Sequence, residues 1–485
     1  MNYGYVRFIL GRILLLEAVL LIPSLLLSLL SLIDKEGGQI LLALVLSMGM
    51  ALGLGILLSF RTPVQTAFYA REGFVIVALA WIALSFFGAL PFVISGTIPS
   101  IIDAFFETAS GFTTTGASIL TNVEAMPRSL LFWRSLTHLI GGMGVLVFVL
   151  AIMPRVESAA VHIMKAEVPG PIFGKLLARV SNSARVLYII YLLMTAALVI
   201  LLFAGGMPLF DSFLHAFGAA GTGGFSIKNT SIAFYDSAYI EMVLAVAMIL
   251  FGVNFNLYYL ILIRQVKTAL KNEELRWYLG IIAASVLVIS ISISSLYDSP
   301  GRLLRDVFFT VSSIITTTGY VTADFDQWPL IARAVLLLLM FVGAMSGSTG
   351  GGLKVTRVAL LIKTGIQEIR RTINPNRRTP LKFDGKAMDS PLQRSINTYF
   401  TVYALFFTFS LLIVSIHAPN FITAFSAVAA TFNNIGPGLD MAGPTSNYAG
   451  LSDLSKIVLS FAMIAGRLEI LPVLILFSPR TWRKI

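Results

Sequence analysis

Long apolar runs separated by short polar segments make up most of this 485-residue chain. Since an α-helix rises about 1.5 Å per residue and the bilayer core is about 30 Å thick, about 20 apolar residues span a membrane. The pattern therefore predicts an all-α membrane protein that crosses the bilayer many times. The predicted spans are residues 8–32, 39–60, 74–95, 131–153, 186–206, 238–263, 277–297, 331–345, 396–416 and 454–478.

Two apolar runs need separate interpretation. Run 8–32 is too long for a signal-peptide core and lacks a clear cleavage site, so it is expected to be a retained helix. Run 353–369 is interrupted by charges and follows a glycine cluster, so it is not counted as a span.

Four short segments between the long runs share one pattern. They are GFTTTGAS (111–118), AAGTGGFS (219–226), IITTTGYV (314–321) and TFNNIGPG (431–438), and they align without gaps on Gly116, Gly224, Gly319 and Gly436. A phenylalanine precedes each glycine by the same interval, at Phe105, Phe213, Phe308 and Phe425. Farther upstream stand Asp103, Asp211, Asp306 and, departing from the pattern, Thr423. Fixed spacing in four copies indicates an internal fourfold repeat.

Each copy reads as a short helix followed by a non-helical return. The aspartates stand near the helix starts, where a carboxylate can cap free N–H groups. About ten helical residues cover about 15 Å, half of a bilayer, so the segment must enter the membrane and return. Backbone that is not helical must avoid lipid, so the four returns are expected to line a shared polar cavity. Glycine permits backbone angles that turn carbonyls inward, and a ring of carbonyls with four helix C-termini suits a dehydrated monovalent cation.

Composition supports a membrane protein and places its two faces. The chain is 57% hydrophobic with a mean hydropathy of +0.86. Most of the 35 basic residues fall in segments that can share one side, which is expected to be cytoplasmic. The formal charge of +11 is therefore assigned to topology and contact with anionic lipids, not to nucleic acid. The chain has no cysteine, which excludes disulfides, thiolate metal sites and cysteine nucleophiles.

At the repeated segments the chain resembles the TrkH/KtrB group within the superfamily of potassium transporters. The resemblance covers essentially the whole chain and implies four helix–pore loop–helix repeats around a central pore, with two extra N-terminal transmembrane helices. The corresponding boundaries are 1–72 for the N-terminal extension and 73–155, 180–268, 274–370 and 394–480 for the four repeats.

The resemblance also implies that backbone carbonyls of the four returns form a K⁺ filter. The implied filter residues are Thr113, Thr114, Thr115, Gly116, Gly221, Thr222, Gly223, Gly224, Thr316, Thr317, Thr318, Gly319, Asn433, Asn434, Ile435 and Gly436. Related plant transporters that carry sodium have a serine at the first filter glycine, so Gly116 favours potassium. The fourth copy is the least regular, and its part in coordination is the least defined by sequence. K⁺ is the expected ligand, with no organic cofactor.

A glycine-rich segment, SGSTGGG at 346–352, interrupts the second helix of the third repeat. It lacks the G-K-[ST] ending of a phosphate-binding loop, and no strand precedes it. The alternatives are a flexible intramembrane loop beneath the filter and a static kink. The family uses this place as a gate, and the residues so implied are Gly347, Ser348, Thr349, Gly350, Gly351 and Gly352.

Single charges in the apolar runs are candidates for function. Arg467 lies near the middle of the last run and either forms a structural salt bridge to another helix or faces the pore as a barrier to ions. Glu17 and Glu469 are the clear acidic candidates for a proton relay. The four histidines are scattered, with no metal-binding spacing, and the chain offers no nucleophile–base pair, so no enzymatic activity is expected.

The leading hypothesis is a gated, potassium-selective, channel-like uptake protein in a bacterial inner membrane, with both termini cytoplasmic. The alternative is a secondary transporter that couples K⁺ to H⁺ or Na⁺. The family also implies a homodimer and a cytosolic ring of TrkA/KtrA-type nucleotide-binding subunits, for which the basic segment 354–394 and the termini are candidate docking sites.

Overall fold

The computed structural model describes residues 1–30, 37–63, 70–144, 180–374, 380–388 and 390–483. The end of the predicted run 131–153 lies outside these residues, as do the boundary at 155 and most of residues 155–185, which include several of the basic residues expected on the cytoplasmic side. Within the described residues the structure is helical apart from one two-stranded hairpin, and six helices are long and apolar enough to cross a membrane. The expectation of an all-α membrane protein is confirmed.

The N-terminal extension is a pair of closely packed helical spans. They consist of α1 (Tyr3–Leu20) continued by α2 (Ile22–Leu30), and α3 (Gly37–Ser59). A side chain at Gly11 of α1 would lie 2.7 Å from the carbonyl oxygen of Gly55 in α3, so small residues let the two backbones approach. Glu17 of α1 is fully buried.

Four units follow, each with a long first helix, a short helix and a second helix. The first helices are α4 (Ala70–Ile94), α7 (Val180–Ala204), α12 (Glu273–Ile293) and α16 (Ser390–Ser415). The short helices are α5 (Ile101–Phe112), α8 (Leu209–Gly221), α13 (Pro300–Ile315) and α17 (Phe421–Phe432). The second helices are α6 (Arg128–Gly142), α9 (Ala238–Phe251) with α10 (Phe255–Leu262), α14 (Leu330–Val342), and α18 (Asp453–Arg467) with α19 (Leu471–Leu476).

Three further elements connect the units. They are α11 (Val266–Leu270), the amphipathic helix α15 (Val355–Ile373), and a hairpin of β1 (Lys382–Phe383) and β2 (Lys386–Ala387), which pair antiparallel. Lys363 of α15 forms an ion pair with Glu273 at the start of α12, and Glu273 also accepts the Asp384 N–H of the hairpin at 2.9 Å. The hairpin, α15 and the start of α12 are thereby tied together.

Two predicted spans are not single straight helices. Run 238–263 bends by 89° between α9 and α10, and run 454–478 is interrupted between α18 and α19. In the second case Glu469 and Ile470 adopt positive φ values of 59° and 67°, which no α-helix contains. Sequence reasoning missed both breaks because Asn254 and Glu469, the polar residues at them, stand in runs that are otherwise mostly apolar.

The short helices do not begin as predicted. Ser100 and Asn420 are the N-cap side chains of α5 and α17, accepting the N–H groups of Asp103 and Thr423. Asp103 and Asp211 lie in the first turn of their helices. The expectation of a capping role for Asp306 is wrong, because Pro300 starts α13 earlier and leaves Asp306 inside the helix.

Glycines on the second helices allow the short helices to end in close contact with them. An added Cβ at Gly141 would lie 1.9 Å from the carbonyl oxygen of Phe112, and at Gly466 it would lie 1.9 Å from that of Phe432. The ends of α5 and α17 therefore rest on backbone rather than on side chains.

Gly466→Ala is expected to lower the free energy of unfolding by about 1–3 kcal/mol, because a methyl group there must displace the last carbonyl of α17. Thermal unfolding of purified protein in detergent measures this. Gly53→Ala is the matched control, since Gly53 is also helical but has open space at its Cβ. Equal unfolding temperatures for the two variants would contradict the proposed packing.

Candidate functional site

The four segments that follow the short helices share one backbone conformation. In each, the residue two before the aligned glycine and the glycine itself have positive φ. The values are 54° and 79° for Thr114 and Gly116, 54° and 71° for Thr222 and Gly224, 59° and 84° for Thr317 and Gly319, and 57° and 99° for Asn434 and Gly436. Because left-handed backbone is rare outside glycine, this repetition identifies four copies of one specialised turn.

The same hydrogen bond fastens each turn to its short helix. The residue before the glycine donates its N–H to a carbonyl in the last turns of the helix. The bonds are Thr115 to Ser110 at 2.8 Å, Gly223 to Gly218 at 2.8 Å, Thr318 to Ser313 at 2.9 Å and Ile435 to Ala430 at 2.8 Å. Each turn is thus continuous with the C-terminal end of a helix, where the macrodipole contributes partial negative charge.

The four turns close into a ring. An added Cβ on each aligned glycine would collide with the carbonyl oxygen before the glycine of the adjoining repeat. The distance from the added Cβ to that oxygen would be 2.0 Å for Gly116 and the Gly223 oxygen, and 1.9 Å for Gly224 and the Thr318 oxygen. It would be 2.0 Å for Gly319 and the Ile435 oxygen, and 2.8 Å for Gly436 and the Thr115 oxygen. The repeats are therefore arranged in chain order around a common axis, with the loosest contact between the fourth and the first.

One cavity of about 210 Å³ opens on one side of this ring. All four aligned glycines line it, together with polar residues that include Ser226 and Lys228. This cavity is called the vestibule below.

Asp440 follows the fourth turn, and hydrogen bonds from Thr423 and Asn420 lower the pKa of its carboxyl below the usual range.

Threonine hydroxyls support the first and third turns from behind. Thr113 donates to the Ala109 carbonyl at 2.6 Å and lies 2.7 Å from the hydroxyl of Thr115. Thr316 makes the equivalent contacts, at 2.7 Å to the Ser312 carbonyl and 2.8 Å to the Thr318 hydroxyl. Because these hydroxyls are occupied by hydrogen bonds within their own repeat, the backbone carbonyls of the turns are the groups that can face the axis of the ring.

The fourth turn is held by different side chains. The Asn434 amide donates to the Thr115 hydroxyl and to the Met463 carbonyl, both at 2.9 Å, while Tyr403 donates to Asn433 at 2.8 Å. Tyr448 donates to the Gly436 carbonyl at 2.7 Å. The irregularity of this copy in the sequence thus has a counterpart in its contacts.

The glycine-rich segment lies against the opposite side of the ring from the vestibule. The Gly351 N–H donates to the Thr317 hydroxyl at 2.6 Å. An added Cβ at Gly350 would lie 2.9 Å from the Thr316 carbonyl oxygen, and one at Gly351 would lie 2.4 Å from that of Asn433. Residues 343–354, called the loop below, therefore contact the turns of the third and fourth repeats directly.

Neighbouring elements fix the two ends of the loop. The Glu274 carboxylate on α12 accepts the N–H groups of Ser346 at 2.7 Å and Thr356 at 3.3 Å. The Gly347 carbonyl accepts the Phe255 N–H at 3.1 Å, at the bend between α9 and α10. The loop is thus ordered by hydrogen bonds, although it buries few large side chains.

Two buried cations bind carbonyls of the loop. Arg467 donates to the Thr349 carbonyl and to the Gly141 and Gly142 carbonyls at the end of α6, each at 2.6 Å. Lys354 donates to the Gly350 carbonyl. Arg467 therefore joins the loop to the second helices of the first and fourth repeats.

Glu17 and Glu469, the two acids considered for a proton relay, lie apart from the ring. Glu469 forms an ion pair of 2.8 Å with Arg357 on α15. Glu17 is enclosed beside Gly88 of α4, where an added Cβ would lie 3.2 Å from its carboxyl oxygen. Neither carboxyl oxygen of Glu17 has a hydrogen-bond partner among the described residues.

Sequence reasoning gave no functional role to four buried polar residues behind the ring. Glu107 pairs with Arg134 at 2.7 Å and accepts the Ser118 hydroxyl at 2.9 Å. His215 stands at the position of Glu107 in the second repeat and lies 3.0 Å from the Ser226 hydroxyl. Their signal was a charge or an imidazole inside an apolar run, the criterion already applied to Arg467.

The fourth missed residue, His138, bridges two repeats. Its Nδ1 lies 2.8 Å from the Gly111 carbonyl oxygen at the end of α5, and its Nε2 accepts the Phe225 N–H of the second turn at 3.2 Å.

Comparisons with known proteins cover nearly the whole chain. A family model described as TrkH, a cation transport protein, matches residues 45–484. The chain is 37% identical to the Trk system potassium uptake protein TrkH of Salmonella typhimurium over 86% of each chain. It is 34% identical to the protein of the same name from Halomonas elongata over 100% of each chain. The crystal structure of the potassium transporter TrkH from Vibrio parahaemolyticus superposes with a TM-score of 0.89 at 32% identity, covering 100% of both chains.

Proposed function

Because the chain belongs to the TrkH family of cation transport proteins, we propose that it takes up potassium through a filter formed by its four turns. The resemblance inferred from the repeated motifs is confirmed by the family match. The expectation that the chain is not an enzyme is confirmed as well, since the relatives are named as transporters.

The ring of four turns carries the proposal. Four aligned glycines surround one vestibule, and each glycine Cα faces a carbonyl of the next repeat. A ring of carbonyl oxygens can replace the water around a dehydrated K⁺, and four helix C-termini add negative potential at the same place. The residues of the filter are those assigned from sequence, 113–116, 221–224, 316–319 and 433–436.

The loop is proposed as the gate. It contacts the filter on the side away from the vestibule, and its glycines lower the cost of changing its conformation. The positive charges of Arg467 and Lys354 at its carbonyls oppose the passage of a cation. Of the two roles considered for Arg467, the barrier to ions is supported by its position between the loop and the end of α6.

Regulation is proposed to act through α15. This helix begins directly after the loop and carries Arg370 and Arg371 in its last turn. A cytosolic TrkA/KtrA-type ring that bound the basic segment 354–394 could move α15 and draw the loop away from the filter. A homodimer in a bacterial inner membrane, with both termini cytoplasmic and anionic lipids at the basic face, completes the proposal.

A secondary transporter that couples K⁺ to H⁺ or Na⁺ is the second candidate, and the buried Glu17 is the observation that favours it. Purified protein in liposomes separates the two functions. A channel-like protein gives K⁺ flux that follows membrane voltage and ignores an imposed proton or sodium gradient. Flux that reverses with either gradient at fixed voltage would establish coupling.

Gly116→Ser is expected to lower the K⁺/Na⁺ uptake ratio while leaving folding largely intact. The new Cβ meets the Gly223 carbonyl at 2.0 Å, and φ of +79° strains any side chain. The ratio is measured in proteoliposomes. Gly206→Ser is the matched control, because Gly206 has φ of +88° but open space. An unchanged ratio in well-folded Gly116→Ser and Gly224→Ser proteins would remove the filter assignment.

Arg467→Ala is expected to raise basal K⁺ flux severalfold, because it removes a charge, one hydrogen bond to the loop and two to the end of α6. Flux and thermal stability are measured together. Arg371→Ala on the exposed end of α15 serves as the charge control. Normal flux combined with a large loss of stability would show that Arg467 is only structural.

Deletion of several residues within 346–352 is expected to raise basal flux and to weaken its dependence on the cytosolic regulator. Selectivity should persist, because the filter residues remain. Flux of K⁺ and Na⁺ with and without the regulator tests all three outcomes. A folded, selective deletion protein with the parent's regulated flux would defeat the gate assignment.

A further inference from the structure

The peptide unit between Gly224 and Phe225 is oriented by a side chain from another repeat. Its N–H group donates to Nε2 of His138 at 3.2 Å. A trans peptide is planar, so its N–H and C=O bonds point in opposite directions. The bond that directs the Phe225 N–H away from the axis therefore also directs the Gly224 carbonyl toward it.

The contacts of His138 determine which nitrogen accepts. Nδ1 faces the Gly111 carbonyl at 2.8 Å, and since a carbonyl only accepts, Nδ1 carries the proton. Nε2 is then the lone pair that receives the Phe225 N–H. The imidazole is fully buried and packs on Gly223, where an added Cβ would lie 2.5 Å from Nδ1.

Phe225 itself is enclosed from both sides. The His138 ring lies 4.2 Å from the Phe225 ring, and the Arg134 guanidinium lies 3.4 Å from the Phe225 ring centroid. Arg134 also donates to the Ser226 carbonyl at 3.0 Å. Phe225 and Ser226, the two residues after Gly224, are therefore both held by residues of the first repeat.

The other filter glycines lack this arrangement. Pro437 follows Gly436 and has no N–H, and the Gly436 carbonyl is already bound by Tyr448. Among the described residues, the N–H groups of Ala117 and Tyr320 have no hydrogen-bond acceptor. Among the four aligned glycines, Gly224 is thus the one whose carbonyl is oriented by a side chain that binds the N–H of the next residue.

We propose that His138 is a positioning residue for ion selection: it sets the direction of the Gly224 carbonyl and thereby the preference for K⁺ over Na⁺. The proposal rests on the proposed filter, and it adds a residue that neither touches the ion nor belongs to the repeated segments. A side chain that only filled space would affect stability and leave the selectivity ratio unchanged.

Three substitutions separate hydrogen bonding from packing. His138→Phe keeps a ring without either hydrogen bond. His138→Asn places an amide where Nδ1 lies and leaves the Phe225 N–H without an acceptor, while His138→Gln can place its carbonyl oxygen where Nε2 lies. His417→Phe is the control, because His417 is exposed and lies outside the filter segments and the loop.

The K⁺/Na⁺ uptake ratio of full-length protein in liposomes is the readout, with thermal stability measured in parallel. The Phe and Asn variants are expected to lose about fivefold in the ratio, the effect of one hydrogen bond on a competing equilibrium, and the Gln variant to stay within about twofold of the parent. An unchanged ratio in the Phe variant, or equal ratios in the Asn and Gln variants, would overturn the proposal.

If the His138 variants fail to fold, a backbone change decides the question. Replacing Phe225 by the corresponding α-hydroxy acid converts its N–H to an ester oxygen and leaves every side chain in place; the ratio should again fall. The measurements also distinguish an error in the role of His138 from an error in the filter assignment. A ratio that responds to Gly116→Ser and Gly224→Ser but not to loss of the Phe225 N–H rejects the role of His138 alone.

Discussion

The contact between each aligned glycine and a carbonyl of the next repeat is the constraint on which the site depends. At three of the four glycines, an added Cβ would lie about 2 Å from a carbonyl oxygen of the next repeat, so no side chain fits there unless the backbone moves. The left-handed turns, the short helices and the glycines of α6 and α18 all serve this approach. Four helix ends and four sets of carbonyls repel one another, so the ring requires support from behind, and the K⁺ proposed to bind there would balance the same negative charge.

Carrying four repeats on one chain allows each quarter of the ring a different support. The first and second repeats are joined by Arg134, which donates to the Ser226 carbonyl at 3.0 Å. Between the second and third, the Tyr320 hydroxyl donates to the His215 carbonyl at 2.9 Å. Between the fourth and first, the Tyr448 N–H donates to the Ser118 carbonyl at 2.8 Å. A fourfold oligomer of identical chains would repeat one support four times, whereas here each quarter can be adjusted separately.

Local patterns in the sequence were sufficient to identify the repeats, the short helices and the aligned glycines, because these follow from spacing and from the conformational freedom of glycine. Contacts between repeats were not predictable in this way. Glu107 and His138 acquire their roles only when two distant segments meet. The breaks before Phe255 and Leu471 were hidden because Asn254 and Glu469 are polar residues in runs that are otherwise mostly apolar. Asp306 was misjudged because the alignment fixed its distance from the filter and not the start of its helix.

The bonds at the loop suggest why the proposed gate can be both closed at rest and responsive. Lys354 is the last residue of the loop, has φ of +76° and holds the Gly350 carbonyl, so movement of α15 acts on the loop through a single strained residue. Arg467 opposes that movement by holding Thr349. Hydrogen bonds from charged donors contribute about 1.5–3 kcal/mol each. The Arg467–Thr349 bond thus favours the closed state by about that much, and a partner with a similar preference for the moved position of α15 would suffice to reverse the balance.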